Sequence, residues 1–137
     1  MSREIKYRGR RLDNGEWAYG FPCRIQEDDS TYSWIMREDT TRHIANVTKV
    51  IHRVDPDTIG QYTGQTDAHR ASLYEGDIFE DDAVWYQIVW SEYSGGWDCQ
   101  EIHGTDSMAL SEFANCSTTF KQGDIYTTPE LLTPSTN

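Results

Sequence analysis

The fold of this 137-residue chain is decided by two neighbouring segments, Ile59-Gly60-Gln61-Tyr62-Thr63-Gly64 and Leu73-Tyr74-Glu75-Gly76-Asp77-Ile78-Phe79. Glycines at such places favour tight turns, because glycine reaches backbone angles that other residues resist. Neither segment has a nucleophile next to a base, a phosphate-binding loop or a metal-ligand spacing. Both therefore indicate structural junctions between strands, in which Tyr62 and Tyr74 are core or interface aromatics. The alternative is that the backbone approaches a bound ligand at Gly60, Gly64 and Gly76.

The residues before these segments follow a β pattern. Ile5, Tyr7 and Leu12 indicate an opening strand, and Asp13-Asn14-Gly15-Glu16 predicts a type I′ hairpin turn. The return strand, Trp17 to Cys23, carries Trp17, Tyr19 and Phe21 on one face, which we expect to be buried. Pro22 indicates a sheet edge or a strand end. Further strands are predicted over Thr31 to Met36 and within His43 to Val54, followed by a turn at residues 55–58.

The second half is also predicted to be mainly strands. Val84 to Trp90 is apolar on nearly both faces, as in a central strand, and Trp97 to Ile102 returns after a turn at residues 94–96. Asp106 is placed to cap a short helix that carries Met108, Leu110, Phe113 and Ala114. A last strand region, Ser117 to Tyr126, is broken near Gly123, and Thr128-Pro129-Glu130 predicts a closing helical turn.

The fold class that follows is mostly β: coiled antiparallel sheets, a small-barrel-like C-terminal half and at most short helices. We expect one domain over residues 1–137, with a β-hairpin and sheet subregion at 1–58 and an acidic subregion at 59–137. The three cysteines are widely spaced and show no CxxC pattern, which favours reduced thiols in a cytoplasm. The sequence lacks a signal peptide's apolar stretch at its start and any long apolar run, so no membrane association is expected.

Charge is very unevenly distributed. Residues 1–59 contain ten Lys/Arg and ten Asp/Glu, whereas residues 60–137 contain two and thirteen, which gives the whole net charge of −11. This pattern fits either a solvated surface or a basic N-terminal strand that meets an acidic surface in the protomer or on a neighbour. An acidic domain repels phosphates, so nucleic-acid binding is disfavoured.

The ordered set of motifs along the chain resembles the YopX family of phage and prophage proteins. The motifs that carry the resemblance are Arg3–Gly9, Asp13–Gly20, Ile59–Gly64, Leu73–Phe79, Asp124-Ile125-Tyr126 and Pro129–Leu132. The resemblance covers nearly the full chain, and it implies a bacterial cytoplasmic setting, a mostly β fold with a small-barrel-like half, a homo-oligomer and no known enzyme activity. The connector Gln65–Ser72 departs from the family pattern, because it lacks glycine.

Candidate chemistry is weak throughout the sequence. The best cation candidate is the carboxylate cluster Glu75, Asp77, Glu80, Asp81 and Asp82, whose alternative reading is a solvated acidic loop. A zinc site would have to be assembled from scattered ligands, namely His43, His52, His69, His103, Cys23, Cys99 and Cys116. The hairpin residues Arg8, Arg10, Arg11 and Trp17 offer a nucleic-acid surface. The alternative is that the aromatic face is buried and that the arginines face solvent or pair with the acidic half of the chain.

These observations predict no catalytic, cofactor-binding or metal residues, no cofactor and no enzyme activity. The leading hypothesis is a phage accessory protein that acts through protein–protein contacts, as a homo-oligomer and on an unknown host or phage protein. One alternative is a nucleic-acid effector, with either a binding basic hairpin or an acidic DNA-like surface. A metal-dependent hydrolase is the less favoured alternative.

Overall fold

A computed structural model describes residues 5–39, 48–113 and 119–132. The chain divides into two compact units, Met1–Gln61 and Tyr62–Asn137. Regular structure in the described residues consists of strands and short 3-10 turns. The mostly β, antiparallel fold class is therefore confirmed. The second sheet is open rather than closed into a barrel, and the expectation of a single domain stays a prediction.

The first unit contains the hairpin that the sequence predicted. Its strands are β1 (Tyr7–Arg10), β2 (Trp17–Glu27), β3 (Ser30–Asp39), β4 (Thr48–Arg53) and the start of β5 (Gly60–Thr66), which continues into the second unit. With β6 (Ser72–Tyr74), the sheet has the order β4-β3-β2-β1-β5-β6. The predicted strands over Thr31 to Met36 and within His43 to Val54 are confirmed, although residues 43–47 lie outside the described residues.

The turn of the β1–β2 hairpin differs from the prediction. A type I′ turn needs positive φ at both central residues, but only Gly15, at 72°, has it. The connection is wider, with the Arg11 amide donating to the Glu16 carbonyl at 2.8 Å and the Gly15 amide donating to the Arg11 carbonyl at 3.0 Å. The Asn14 side chain accepts from the Glu16 amide at 3.0 Å instead of entering the left-handed region.

The two faces of this hairpin are the reverse of what the aromatic alternation suggested. Ala18 is buried with Ile35 and Val54, and Gly9 lies directly opposite Ala18 on that same face. Since neighbouring residues of a strand point to opposite faces, the aromatics that flank Ala18 lie on the other face. The expectation of a buried aromatic face with exposed arginines is wrong there, as Phe21 is 57% exposed and Arg8 only 1%.

Pro22 lies where the described part of β2 is paired on one side. Among the described residues, β1 pairs with β2 as far as Gly20, and from Phe21 onward β2 pairs with β3. A proline that cannot donate a ladder hydrogen bond is tolerated on such an edge. Of the two predicted alternatives, the sheet edge is correct and the strand end is not.

The second unit has a larger core, built on a five-stranded sheet. Its strands are β7 (Asp77–Asp81), β8 (Val84–Ser91), β9 (Gly96–Glu101), β10 (Ser107–Ala109) and β11 (Thr119–Asp124), in the order β10-β9-β8-β7-β11. β8 is the central strand, as its apolar pattern predicted. The core comprises Leu73, Phe79, Tyr86, Ile88, Cys99, Leu110 and Phe113. The Phe79 ring stacks on Tyr86 at 5.3 Å and meets Phe113 edge-on at 5.1 Å between ring centroids.

The short helix that the sequence predicted after Asp106 does not form, because a strand and a single 3-10 turn take its place. Met108 belongs to strand β10, and a 3-10 turn at Leu110–Phe113 brings both of its terminal residues into the core. Ala114 lies outside the described residues. The closing turn is confirmed as Pro129–Leu132. The predicted break near Gly123 is confirmed as a register shift between Lys121 and Gly123 in β11.

Candidate interaction surface

One face of strands β2, β3 and β4 carries a continuous set of apolar and aromatic side chains. Directly opposed residues of antiparallel strands lie on the same face, and the register pairs Phe21 with Met36, Cys23 with Trp34, and Ile25 with Tyr32. Strand β4 extends this face by pairing Met36 with Ile51 and Trp34 with Arg53. We call it the β2–β4 face. Its members are Tyr19, Phe21, Cys23, Ile25, Tyr32, Trp34, Met36, Ile51 and Arg53.

Four apolar members of this face are exposed, whereas Cys23, Tyr32, Trp34 and Met36 are half-buried. The exposed fractions are 57% for Phe21, 47% for Tyr19, 40% for Ile51 and 36% for Ile25. Single exposed apolar residues are common on soluble proteins, but a contiguous patch of them marks a binding surface. The sequence showed that these aromatics share a face, and it did not show that the face is uncovered.

The outer part of the β2–β3 ribbon is exposed on both faces. From Tyr32 to the Asp28-Asp29 turn, β3 pairs with β2 and has no partner from β4 in the register. On the side opposite Ile25, the neighbouring residues Arg24 and Gln26 are also exposed. Two-stranded ribbons in water are marginally stable on their own, so a further contact would stabilise the outer part of this ribbon.

Charged side chains bound the β2–β4 face at two places. The Arg53 guanidinium lies over the Tyr32 ring, with 3.7 Å from Cζ to the ring centroid, and its charge stays exposed. Glu27 lies at the tip of the ribbon and shares the face by its position in the strand. Arg53 is level with Cys23 through Trp34, so four residues, or roughly 13 Å, separate the two charges along β2.

The arginines of the β1–β2 hairpin are engaged within the first unit. Arg8 is buried, with its Cζ 4.1 Å from the centroid of the Trp17 ring. Arg10 donates from Nε to the Gly15 carbonyl at 3.1 Å. Arg11 forms an ion pair with Asp13 at 2.6 Å, and this hydrogen bond lowers the pKa of Asp13 and raises that of Arg11. This arrangement does not present a row of arginines to a phosphate backbone.

The acidic cluster predicted as a cation candidate does not converge. Asp77 is completely buried, where its Oδ2 accepts from the Tyr74 amide at 2.7 Å and from the Lys121 ammonium at 3.1 Å. Glu80 and Asp81 are adjacent on β7 and therefore point to opposite faces. Asp82 is exposed in the next turn. Within residues 5–39, 48–113 and 119–132, three or more His, Cys, Asp or Glu residues nowhere group to hold a metal ion.

The two glycine-containing segments form the predicted structural junction. Tyr62 and Tyr74 are buried, they oppose each other across β5 and β6, and their ring centroids are 5.5 Å apart. Gly76 has a φ of 90°, a conformation that favours glycine, and its amide donates to the Ile88 carbonyl at 2.9 Å. Its own carbonyl accepts from the Ile125 amide at 3.0 Å. The segment thus connects the β6–β7 turn with both β8 and the end of β11.

The histidines and cysteines lie apart from one another in the described residues. His69 is exposed and contacts the Phe120 ring at 5.0 Å, and His103 is exposed in a turn. His52 is half-buried on β4, as is Cys23 on β2. Burial raises the pKa of the Cys99 thiol to about 12, which keeps it protonated. His43 and Cys116 lie outside the described residues.

A surface pocket of about 330 Å³ lies in the first unit. It is lined by Pro22, Cys23, Arg24, Ser33, Pro56 and Ile59. This lining includes a thiol and a hydroxyl but neither a carboxylate nor an imidazole, so neither nucleophile has a base beside it. The pocket does not define a reaction.

Sequence reasoning missed a buried carboxylate that organises the glycine-free connector. Asp67 Oδ1 accepts from the amides of His69 and Ala71, both at 2.9 Å, and Oδ2 accepts from the Lys121 amide at 2.9 Å. The side chain supplies the turn that a glycine supplies elsewhere, and Arg70 takes a φ of 65°. The sequence signal that could have identified this residue is an aspartate within a connector that contains no glycine.

These observations describe a two-unit, mostly β protein whose most distinctive described surface is the partly exposed apolar β2–β4 face. The YopX protein family model matches residues 6–133, and the chain belongs to the YopX family. Solved structures that it resembles include the crystal structure of protein EF1440 from Enterococcus faecalis, with a TM-score of 0.53 and 17% identity over 96% of this chain and 100% of that one. No curated protein matches the chain. Among the described residues, no helix has the length and apolar character needed to cross a membrane.

Proposed function

We propose that this protein is a noncatalytic, phage- or prophage-encoded accessory protein that acts in the bacterial cytoplasm through protein–protein contacts, as a homo-oligomer. The observation that carries the proposal is the exposed β2–β4 face, on which Phe21 and Tyr19 are 57% and 47% exposed. Aromatic side chains of this kind dominate the energetics of protein interfaces. Family membership supports the accessory role.

Charge supports a second copy of the chain as the occupant of this face. The first unit, residues 1–61, contains ten basic and ten acidic residues, so two copies that meet there bring together surfaces of zero net charge. The second unit has thirteen acidic and two basic residues, and a contact between two such units is opposed by repulsion. The neutral unit is also the one with the exposed apolar face.

The positions of two charges suggest how the copies are arranged. A twofold contact is isologous, so a face must complement itself. If the ribbons lie antiparallel across the twofold axis, Glu27 of each copy comes to the level of Arg53 of the other. The apolar residues between them, including Phe21 and Ile25, then cover each other. This arrangement gives the outer ribbon a contact beyond its β2–β3 pairing, which is the pairing it has among residues 5–39, 48–113 and 119–132.

The test is light scattering coupled to size-exclusion chromatography over a concentration series. We expect the wild type to have a molar mass above that of one chain. Phe21→Ser removes an aromatic anchor, whose loss typically costs more than about 1.4 kcal/mol, so the dissociation constant rises at least about tenfold. Because charge pairs contribute, the assembly also weakens in high salt.

The matched control is Tyr93→Ser. Tyr93 is fully exposed, and it lies in the second unit. The variant Tyr93→Ser therefore loses an exposed aromatic side chain of similar size that lies outside the β2–β4 face. We expect its self-association to stay at the wild-type level. A wild type that is monomeric at every concentration contradicts the proposal, and so does an equal effect of the two substitutions.

A gel-shift titration at low salt separates this function from a nucleic-acid effector that binds through the basic hairpin. We expect no shift, because Arg8 is buried and Arg11 is paired with Asp13. Salt-sensitive binding that is lost in Arg11→Gln would favour the alternative. Metal analysis, with melting temperatures in added Mg²⁺, Mn²⁺ or Ca²⁺, tests the hydrolase, and we expect no change.

A further inference from the structure

We propose that the turn between β8 and β9 is a docking site for a basic, arginine- or lysine-rich segment of a partner protein. The site, which we call the β8–β9 tip, consists of Trp90, Glu92, Tyr93 and Trp97. It lies in the acidic second unit. The proposal is independent of self-association through the β2–β4 face.

The β8–β9 tip presents aromatic rings that are largely uncovered. Tyr93 is fully exposed and Trp90 is 49% exposed. Trp90 lies directly opposite Trp97 in the register, and their rings meet edge-on with centroids 5.0 Å apart. Trp97 is half-buried and packs against the core of the unit, so Trp90 is supported from beneath. Trp and Tyr are enriched among the residues that contribute most of the binding energy at protein interfaces.

The turn that carries Tyr93 is held in place by its own hydrogen bonds. The Gly95 amide donates to the Ser91 carbonyl at 2.8 Å, and the Ser94 amide donates to the Ser91 hydroxyl at 3.1 Å. The Ser94 hydroxyl lies 3.3 Å from Asp98 Oδ1, on the returning strand. A turn ordered in this way loses little conformational freedom when a partner binds, which favours affinity.

The negative charge of the second unit determines which kind of partner it attracts. The second unit carries thirteen acidic side chains against two basic ones, Arg70 and Lys121. Lys121 forms an ion pair with the buried Asp77 at 3.1 Å, so it offsets little of the charge at the surface. Glu92 is exposed next to Tyr93 at the tip itself. A partner surface must therefore be positive for its approach to be favoured.

An arginine or lysine side chain of a partner can interact both with the aromatic rings and with the negative charge of the tip. A guanidinium or ammonium group over the face of Trp or Tyr gains a cation–π contact with the ring. The same charge is attracted by Glu92 and by the field of the unit. Nucleic acid is repelled by this field, and another copy of the acidic unit is repelled for the same reason.

The probe for the test is a fluorescently labelled peptide of alternating arginine and glycine, with an alternating glutamate and glycine peptide as its counterpart. Fluorescence anisotropy reports binding to the full chain at low salt. We expect the arginine peptide alone to bind, and Tyr93→Ser to weaken its binding about tenfold, since it removes one aromatic anchor. Because Tyr93 is fully exposed, this variant keeps the wild-type circular dichroism spectrum.

Two further variants separate the tip from the general charge of the unit. Glu92→Gln removes the charge at the tip, and its matched control, Asp82→Asn, removes one exposed charge from another turn of the same acidic unit. We expect Glu92→Gln to weaken binding more than Asp82→Asn does. Equal binding by wild type and Tyr93→Ser would overturn the proposal, as would equal effects of the two charge changes. Loss of self-association in Tyr93→Ser would overturn it too, by assigning the tip to a second copy.

Discussion

Asp67 offers the sharpest test of how the second unit is held together, through the substitution Asp67→Asn. The carboxylate is 7% exposed and accepts three backbone hydrogen bonds, two on Oδ1 and one on Oδ2. The bond to Oδ2 comes from Lys121 in β11, 54 residues away in sequence. It therefore joins the connector after β5 to the far edge of the second sheet.

The expected loss of stability follows from these bonds. The amide oxygen of asparagine can still accept from the amides of His69 and Ala71, although more weakly, because it is uncharged. The amide nitrogen would face the Lys121 N–H, so that donor loses its partner, which costs about 1–3 kcal/mol. With the weakening of the two remaining bonds, we expect the free energy of unfolding to fall by about 3 kcal/mol.

Dependence on pH gives the same residue an independent signature. Burial raises the pKa of Asp67, but the backbone donors of Lys121, Ala71 and His69 together lower it, and the net result is a pKa below the ordinary 3.8. A carboxyl group whose pKa is lower in the folded state stabilises the protein above the unfolded value. That stabilisation is lost as the pH falls through the folded value.

The assay is urea unfolding of wild type and Asp67→Asn near neutral pH, followed by thermal unfolding at decreasing pH. We expect the difference between the two proteins to be largest near neutral pH and to shrink below the ordinary aspartate value of 3.8. The control, Asp82→Asn, changes an exposed aspartate with a φ of 52° that asparagine also tolerates, so it alters stability by less than about 0.5 kcal/mol. A loss below about 1 kcal/mol in Asp67→Asn, or one that grows towards low pH, would refute the reasoning.

Three further changes test the packing of the two units. Phe79→Ala empties a fully buried site and lowers the free energy of unfolding by about 3–5 kcal/mol in urea, and a loss near 1 kcal/mol would contradict a packed core there. The Cys99 thiol, with a pKa of about 12, reacts with a thiol reagent only after unfolding. Under native conditions, wild type and Cys99→Ser therefore take up the same amount of reagent, and greater uptake by the wild type would contradict this. Gly20→Ala drives a Cβ into the Met36 carbonyl and lowers the melting temperature, whereas Gly96→Ala meets no atom within 4 Å and leaves it nearly unchanged; equal effects would count against this geometry.

The positions of most strands along the chain could be predicted from the sequence, because local residue patterns indicate them. The apolar run of β8 identified the central strand, and the residues around Gly123 indicated the break in β11. The type of the first turn was not accessible in this way. Asn-Gly favours a type I′ turn, but here the Asn14 side chain bonds to the Glu16 amide, and the hairpin closes through a wider connection.

The face of the first hairpin shows why alternation alone does not locate a core. Trp17, Tyr19 and Phe21 are the larger residues, and they suggest the buried side. The core instead packs against Ala18, where a Cβ on the opposing Gly9 would lie 3.1 Å from Val54. The small residues Gly9 and Ala18 let other side chains pack closely against this face, but the sequence does not show which side chains those are. The exposed β2–β4 face was therefore beyond sequence reasoning.

The acidic cluster illustrates the same limit for a candidate site. Five carboxylates close in sequence suggested converging cation ligands. Strand alternation separates Glu80 from Asp81, and Asp77 is drawn into the interior by Lys121 and the Tyr74 amide. Lys121 is 44 residues away from Asp77 in the sequence, so a local pattern does not contain this ion pair.

Self-association through the β2–β4 face can be tested by the molar mass of two charge variants, each alone and both mixed. Glu27→Lys places lysine opposite Arg53, and Arg53→Glu places glutamate opposite Glu27, so each variant alone repels itself across the twofold axis. Mixed in equal amounts, the two variants restore an attraction at both ends of the contact. We expect each variant alone to self-associate about tenfold more weakly, and the mixture to recover the wild-type molar mass. Variants that associate as the wild type does, or a mixture that stays dissociated, would contradict this expectation.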